Sequence, residues 1–274
     1  MLRENLDYTT MAHMHDSHNE KAVNELWERA QENTIIRGLK EGKMMGEIVS
    51  GEQCEKVFRE TPCCLGCSDG RIHEARIGRA GMGIVAGVEK TVTAIKKMFD
   101  EGKVKGRLVI KSHDGCGAAK IVCDQLIEKG KLPQNYNSDD LGIKFAKDVT
   151  VALQQGGYDV VCEHTSEKEM DALHDEVAIY FDGTQSINIE NSDFPRGFIF
   201  SNLDFDSTEC VTELKALCGI ALGDHGFGKR FTKENPFRII ISAKNQEQIQ
   251  TMRDIAEKAA WGFNERVAID SLIV

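Results

Sequence analysis

Three strand-length apolar runs, separated by stretches of helical periodicity, limit this chain's fold more than any other feature. The runs are "TPCCLGC" (61–67), "GRLVIKSH" (106–113) and "YDVVCEH" (158–164). Between them lie "GIVAGVEKTVTAIKKMFDEGK" (83–103), "CGAAKIVCDQLIEKGK" (116–131) and "SDDLGIKFAKDVTVALQQGG" (138–157), the last with an acidic first turn that suits a helix dipole. Strands joined by helical crossovers run parallel and need helices over both faces, so the chain reads as α/β, a mainly parallel sheet flanked by helices.

Beyond residue 165 the rhythm changes. "EVAIYFDG", "SINIE" and "GFIFSN" lie close together and predict hairpins or an antiparallel edge. A helix ("ECVTELKALCGIAL"), a strand ("FRIIISA"), a long helix with Asn245 as N-cap and a closing strand ("VAIDSLIV") follow. This part either extends the same sheet or forms a second α/β unit. Ahead of the core, Val23, Leu26, Trp27 and Ala30 recur at helical spacing and predict one helix over 17–38. The Gly-punctuated stretch 38–58 reads as a helical linker or arm rather than core. The expected division is an N-terminal arm over 1–45, flexible over roughly its first 20 residues, an α/β core over 46–164, and an extension over 165–274. No segment recurs in the sequence.

The net charge of −10, from 34 Lys+Arg against 44 Asp+Glu, excludes a phosphate-binding surface of the kind nucleic acids or anionic membranes require. No apolar run reaches membrane-spanning length, and "MLRENLDYTTMAHMHDSHNEK" lacks the apolar segment of a signal peptide. Nine cysteines in a chain without a leader point to reduced thiols and metal ligation, and to a cytoplasmic protein.

Two fragments concentrate the chemistry: "CCLGCSDGRI" (63–72) and "SHDGCGAAK" (112–120). Cys67 falls where the first strand ends, and His113 where the second ends, at the edge where open α/β sheets collect reactive groups. Adjacent parallel strands lie about 4.8 Å apart. Cys67, His113 and Cys116 are therefore candidate ligands of one ion, and the helix starting at Cys116 favours its thiolate. Zinc takes four ligands, so three protein donors leave one position for water or substrate. Asp69, two residues past Cys67, can pair with Arg71 and orient a bound water. A second arrangement adds Cys64, making a closed Cys3His structural site. Against it, Cys64 and Cys67 point to opposite faces of a strand, and Asp69 and Arg71 go unused.

Other motifs are weaker. His13, His15 and His18 suit a solvated tail better than a nickel or copper site. "GDHGFGKR" (223–230) has Arg230 where a phosphate loop needs Ser or Thr, and reads as a Gly-rich loop. Cys123, Cys162, Cys210 and Cys218 sit in apolar patterns and read as core.

The Cys-x-Asp-x-Arg of "CSDGR", followed by the His-x-x-Cys of "HDGCG", resembles the β-class carbonic anhydrases, and the intervening "RIGRAGMGI" is similar to that family's Arg- and Gly-bearing segment ahead of the linking helix. The resemblance covers about residues 60–125. It implies Zn2+ on Cys67, His113 and Cys116, and soft thiolates would also accept Cd2+ or Co2+ there. It implies an Asp69–Arg71 dyad orienting a metal-bound hydroxide, with CO2 and bicarbonate as substrate and product. In some members the aspartate instead closes the site as fourth ligand. A homodimer or larger assembly follows, its cleft partly formed by a neighbour. His73, close to the dyad in sequence, is a candidate proton shuttle but reads better as an ordinary surface or neighbouring histidine. A relative hydrolysing CS2 or COS, or a non-catalytic structural-zinc protein, are the alternatives. Gly70 stands where the family commonly carries serine or another side chain.

Overall fold

The computed structural model describes residues 20–58, 61–71, 76–170, 174–185, 187–190, 192–203, 205–223, 226–263 and 265–274. The histidine-bearing tail and His73 lie outside them. Four helices lead: α1 (Glu20–Glu32), α2 (Thr34–Lys40), α3 (Met45–Ile48) and α4 (Gly51–Phe58). The first sheet holds β1 (Cys64–Cys67), β2 (Arg76–Arg79), β3 (Leu108–His113) and β4 (Val160–Thr165), all parallel, in the order β2-β1-β3-β4. Helix α5 (Val88–Asp100) follows β2, and α6 (Gly117–Glu128) and α7 (Ser138–Gln155) follow β3. Helix α5 buries Val92, Ala94, Ile95 and Met98 on one face. The Asn137 side chain caps α7 by accepting from the Asp139 N–H at 2.9 Å.

The C-terminal part builds its own parallel sheet: β5 (Ala178–Asp182), β6 (Gly197–Ser201), β7 (Phe237–Ala243) and β8 (Val267–Ile273), in the order β6-β5-β7-β8. Helix α8 (Ser207–Leu222) joins β6 to β7, and α9 (Gln246–Ala260) joins β7 to β8. The expected hairpins are absent here. Residues 187–190 form no strand. Instead Ile187 is buried beside Phe58, and the Asn188 N–H donates to the Val57 carbonyl at 2.8 Å. That detour carries the chain back to the start of the sheet, so β6 runs alongside β5 in the same direction.

The two sheets repeat one strand order although their sequences do not repeat. Cys64 pairs with Arg76 and Val109, as Ala178 pairs with Gly197 and Arg238. In that register Phe181 takes the place of Cys67, and Ser242 the place of His113. The edge strands β2 and β6 touch, the Gly78 N–H donating to Ser201 Oγ at 3.1 Å, and the Ile199 N–H of β6 reaches the Ser68 carbonyl just after β1 at 3.0 Å. Arg79 crosses this junction fully buried, forks onto Glu213 of α8 at 2.5 and 3.1 Å, and stacks against Phe200 and Phe205.

Two expectations for the N-terminal region change. The single helix breaks at Asn33, whose side chain accepts from the N–H groups of Ile35 and Ile36 and so starts α2. The stretch 38–58 is core rather than linker: Leu39, Met45, Val49, Val57 and Phe58 are buried against one face of the second sheet. Trp27 of α1 packs edge-on against Phe227 and Phe231.

Candidate metal centre

The carboxyl ends of β1 and β3 bring Cys67, His113 and Cys116 together, all buried, with one donor atom from each within 4.8 Å of the others. The two sulfurs lie 3.9 Å apart. Two thiolates on a tetrahedral zinc, each about 2.3 Å from the ion, stand about 3.8 Å apart, so the pair is already spaced for one. His113 Nδ1 bonds the Asp114 carbonyl at 2.8 Å, which fixes the ring. Its Nε2 is buried with no hydrogen-bond partner among the described residues. A buried ring nitrogen left without a partner, facing two thiols, is the mark of a ligand site. Cys64 does not join this group. It sits an odd number of residues from Cys67 on one strand and turns to the other face.

The three groups hold their protons unequally. The hydrogen bond from Cys116 holds the Cys67 thiol well below its ordinary value, against burial and with help from His113. Donation to Cys67, with burial, pushes Cys116 well up. Burial opposes protonation of His113, but the Cys67 charge overrides it and raises the imidazole to about 9. The Gly81 N–H also donates to Cys67 Sγ at 3.4 Å.

Asp69 and Arg71 form the expected dyad. Arg71 Nε and Nη2 donate to the Asp69 oxygens at 3.0 and 2.7 Å, and its backbone N–H adds a third bond at 3.0 Å. Burial would raise the Asp69 carboxyl, but these bonds and the Arg71 charge hold it far below the usual carboxylate range. Arg76 fastens the loop from beneath, donating to the carbonyls of Cys67 at 3.1 Å and Asp69 at 2.6 Å. A side chain at Gly70 would meet the Glu176 side chain at 2.5 Å, so glycine here is what admits that carboxylate beside the dyad.

Cys67, Asp69, Arg71 and Cys116 line a cavity of about 290 Å³. One wall comes from the first sheet and its helices, including Val85, Ala118 and Ile121. The other comes from the C-terminal part: Phe198 of β6, and Ala216, Leu217 and Ile220 of α8, with His174 at the rim. These wall residues, Arg76, His174 and Glu176 were not singled out from sequence. The apolar ones look like ordinary core, and His174 and Glu176 sit more than 100 positions from the dyad. "GDHGFGKR" gives a single 3-10 turn, Gly228–Arg230, with no helix after it. Among the described residues no helix is long and apolar enough to cross a membrane.

Comparisons with family models, with curated proteins and with solved structures found no match to this chain.

Proposed function

We propose that this chain is a zinc-dependent lyase interconverting CO2 and bicarbonate, similar in its site to the β-class carbonic anhydrases. The observation that carries the reading is the orphaned His113 Nε2 beside two sulfurs 3.9 Å apart, at the foot of a cavity whose Asp69 carboxylate is pinned by Arg71. The residues fit zinc: two sulfurs spaced as on one tetrahedral ion, with an imidazole nitrogen within 4.8 Å of them and Cys64 outside the group. When bound, zinc supplies a Lewis acid that makes water nucleophilic near neutral pH.

The chain's own residues do the rest. Arg71 occupies both Asp69 oxygens, so Asp69 stays ionised and fixed, able to accept one further hydrogen bond and turn a water's lone pair toward substrate. The apolar wall of Val85, Phe198, Leu217 and Ile220 suits a small, linear, uncharged molecule such as CO2 and keeps bulk water from it. The wall belongs to the same polypeptide, so a homodimer or larger assembly, which the reading includes, is not needed to complete the cavity. Reduced thiols suit the cytoplasm. At about 290 Å³ the cavity also has room for COS or CS2.

The test is metal content and CO2 hydration in the wild type and three variants. Asp69→Asn is expected to keep its metal and lose turnover. Cys67→Ser is expected to lose both, and Cys64→Ser to keep both. Metal lost in Cys64→Ser would instead mark a closed Cys3His site. Turnover of COS or CS2 in preference to CO2 would reassign the substrate.

A further inference from the structure

Hydrating CO2 forms one C–O bond while one C=O π pair moves onto the carbonyl oxygen, and it breaks one O–H bond of water. The bond's electron pair stays on oxygen, and one proton must leave for every bicarbonate made. We propose that His174, oriented by Glu176, accepts that proton and passes it to solvent. The proposal rests on the function proposed above and adds to it a residue pair from the C-terminal part of the chain.

The geometry is that of a base with its orienting carboxylate. His174 Nδ1 lies 3.2 and 3.3 Å from the two Glu176 oxygens. A carboxylate at Nδ1 keeps that nitrogen protonated and leaves the ring's other nitrogen as the basic one. The pair faces the reaction site: donor atoms of Asp69, His174 and Glu176 lie within 4.8 Å of one another, and His174 lines the cavity with Cys67, Asp69 and Arg71. It also faces outward. His174 and Glu176 line a smaller adjoining cavity of about 10 Å³, room for about one water. The histidine side chain is 14% exposed, while Glu176 is 2% exposed.

Among the described residues, the charged groups acting on the ring include Glu176 on its own segment and Asp69 and Arg71 on the loop after β1. Burial disfavours the charged ring, but Glu176 outweighs it and raises the imidazole above its ordinary value. Proton affinity above that of a free imidazole suits an acceptor working near neutral pH. Burying Glu176 is costly unless it is paired, and Gly70 gives up its side chain to make the room.

The experiment uses the full zinc-loaded chain and three variants, His174→Ala, His174→Gln and Glu176→Gln, each checked for metal content and thermal unfolding. His174→Ala is expected to lower kcat by about tenfold or more, as loss of a proton-transfer group does. It should leave kcat/KM within about threefold, because proton release follows the chemical step. Added imidazole should restore kcat in His174→Ala and leave the wild type unchanged. A readout independent of turnover is the ring-proton NMR titration of His174, whose midpoint should fall in Glu176→Gln. The glutamine variant at 174 carries the same kinetic test should the alanine variant fail to fold.

Equal losses in kcat and kcat/KM without imidazole rescue, unchanged kcat, or an unmoved titration midpoint would each overturn the proposal. If the wild type hydrates CO2 and the variants match it, only this proposal falls. If the zinc-loaded wild type hydrates no CO2, both readings fall.

Discussion

Glu213→Ala tests how the two sheets are held together. Glu213 and Arg79 are each fully buried, and their forked contact at 2.5 and 3.1 Å is the one ion pair of that guanidinium among the described residues. Removing the carboxylate leaves Arg79 charged between Phe200 and Phe205, with the Ser201 carbonyl as a remaining acceptor at 3.1 Å. Breaking one partner out of a buried pair costs about 3–5 kcal/mol. For a domain of this size each kcal/mol lowers Tm by about 2–4 °C, so the melt should fall by about 6–20 °C. Calorimetry or a circular-dichroism melt reads this directly. The double variant Arg79→Met/Glu213→Leu should recover much of the loss, because two apolar side chains replace the pair without stranding a charge. A Glu213→Ala melt within about 2 °C of wild type would refute the reasoning. So would a double variant as unstable as the sum of the singles.

Three further outcomes follow from packing and burial. Gly78→Ala should destabilise by about 3 kcal/mol or more, measured by urea unfolding, because its Cβ would stand 2.2 Å from the Ile199 carbonyl oxygen at the sheet junction. Gly70→Ala should push Glu176 off the dyad, lowering CO2 hydration while metal content holds; unchanged turnover would show that the close approach of Glu176 is idle. Burial pushes Cys218 up to about 12 and Tyr180 well above its ordinary phenol value, so both stay protonated in the fold at pH values where the unfolded chain loses those protons. Stability from these groups is complete below the unfolded thiol's pKa and falls as pH rises through about 9 toward 12. Denaturant midpoints across pH 8–11 check it, and a flat profile above pH 9 would contradict it.

The metal fragments were legible because strand ends and a turn place ligands at fixed offsets. "CCLGC" and "LVIKSH" announce their strands, and Cys67, His113 and Cys116 come together from them. Strand β2 was not legible. Its Arg76 and Arg79 are buried ion-pair and carbonyl donors, which no apolar-run rule would place inside a sheet. The second sheet was misread where β5 and β6 lie close in sequence, since nearness suggests a hairpin and only the buried detour through Ile187 makes them parallel. His174 and Glu176 gave no local signal, since their meaning depends on Gly70, a position that sequence shows only as an absent side chain.

The same strand order occurs twice in this polypeptide, yet only the first sheet carries sulfur and imidazole; the second has Phe181 and Ser242 in those places. In a symmetric pair of identical subunits every substitution is made twice, so a residue good for lining one cavity must also be tolerable wherever its twin falls. Here Leu217 and Ile220 line the cavity once and have no twin at the edge that carries Cys67 and His113. The lining can therefore drift toward a new guest molecule while the sheet that holds the cysteine and histidine stays as it is, an independence that two separate copies of one chain never have.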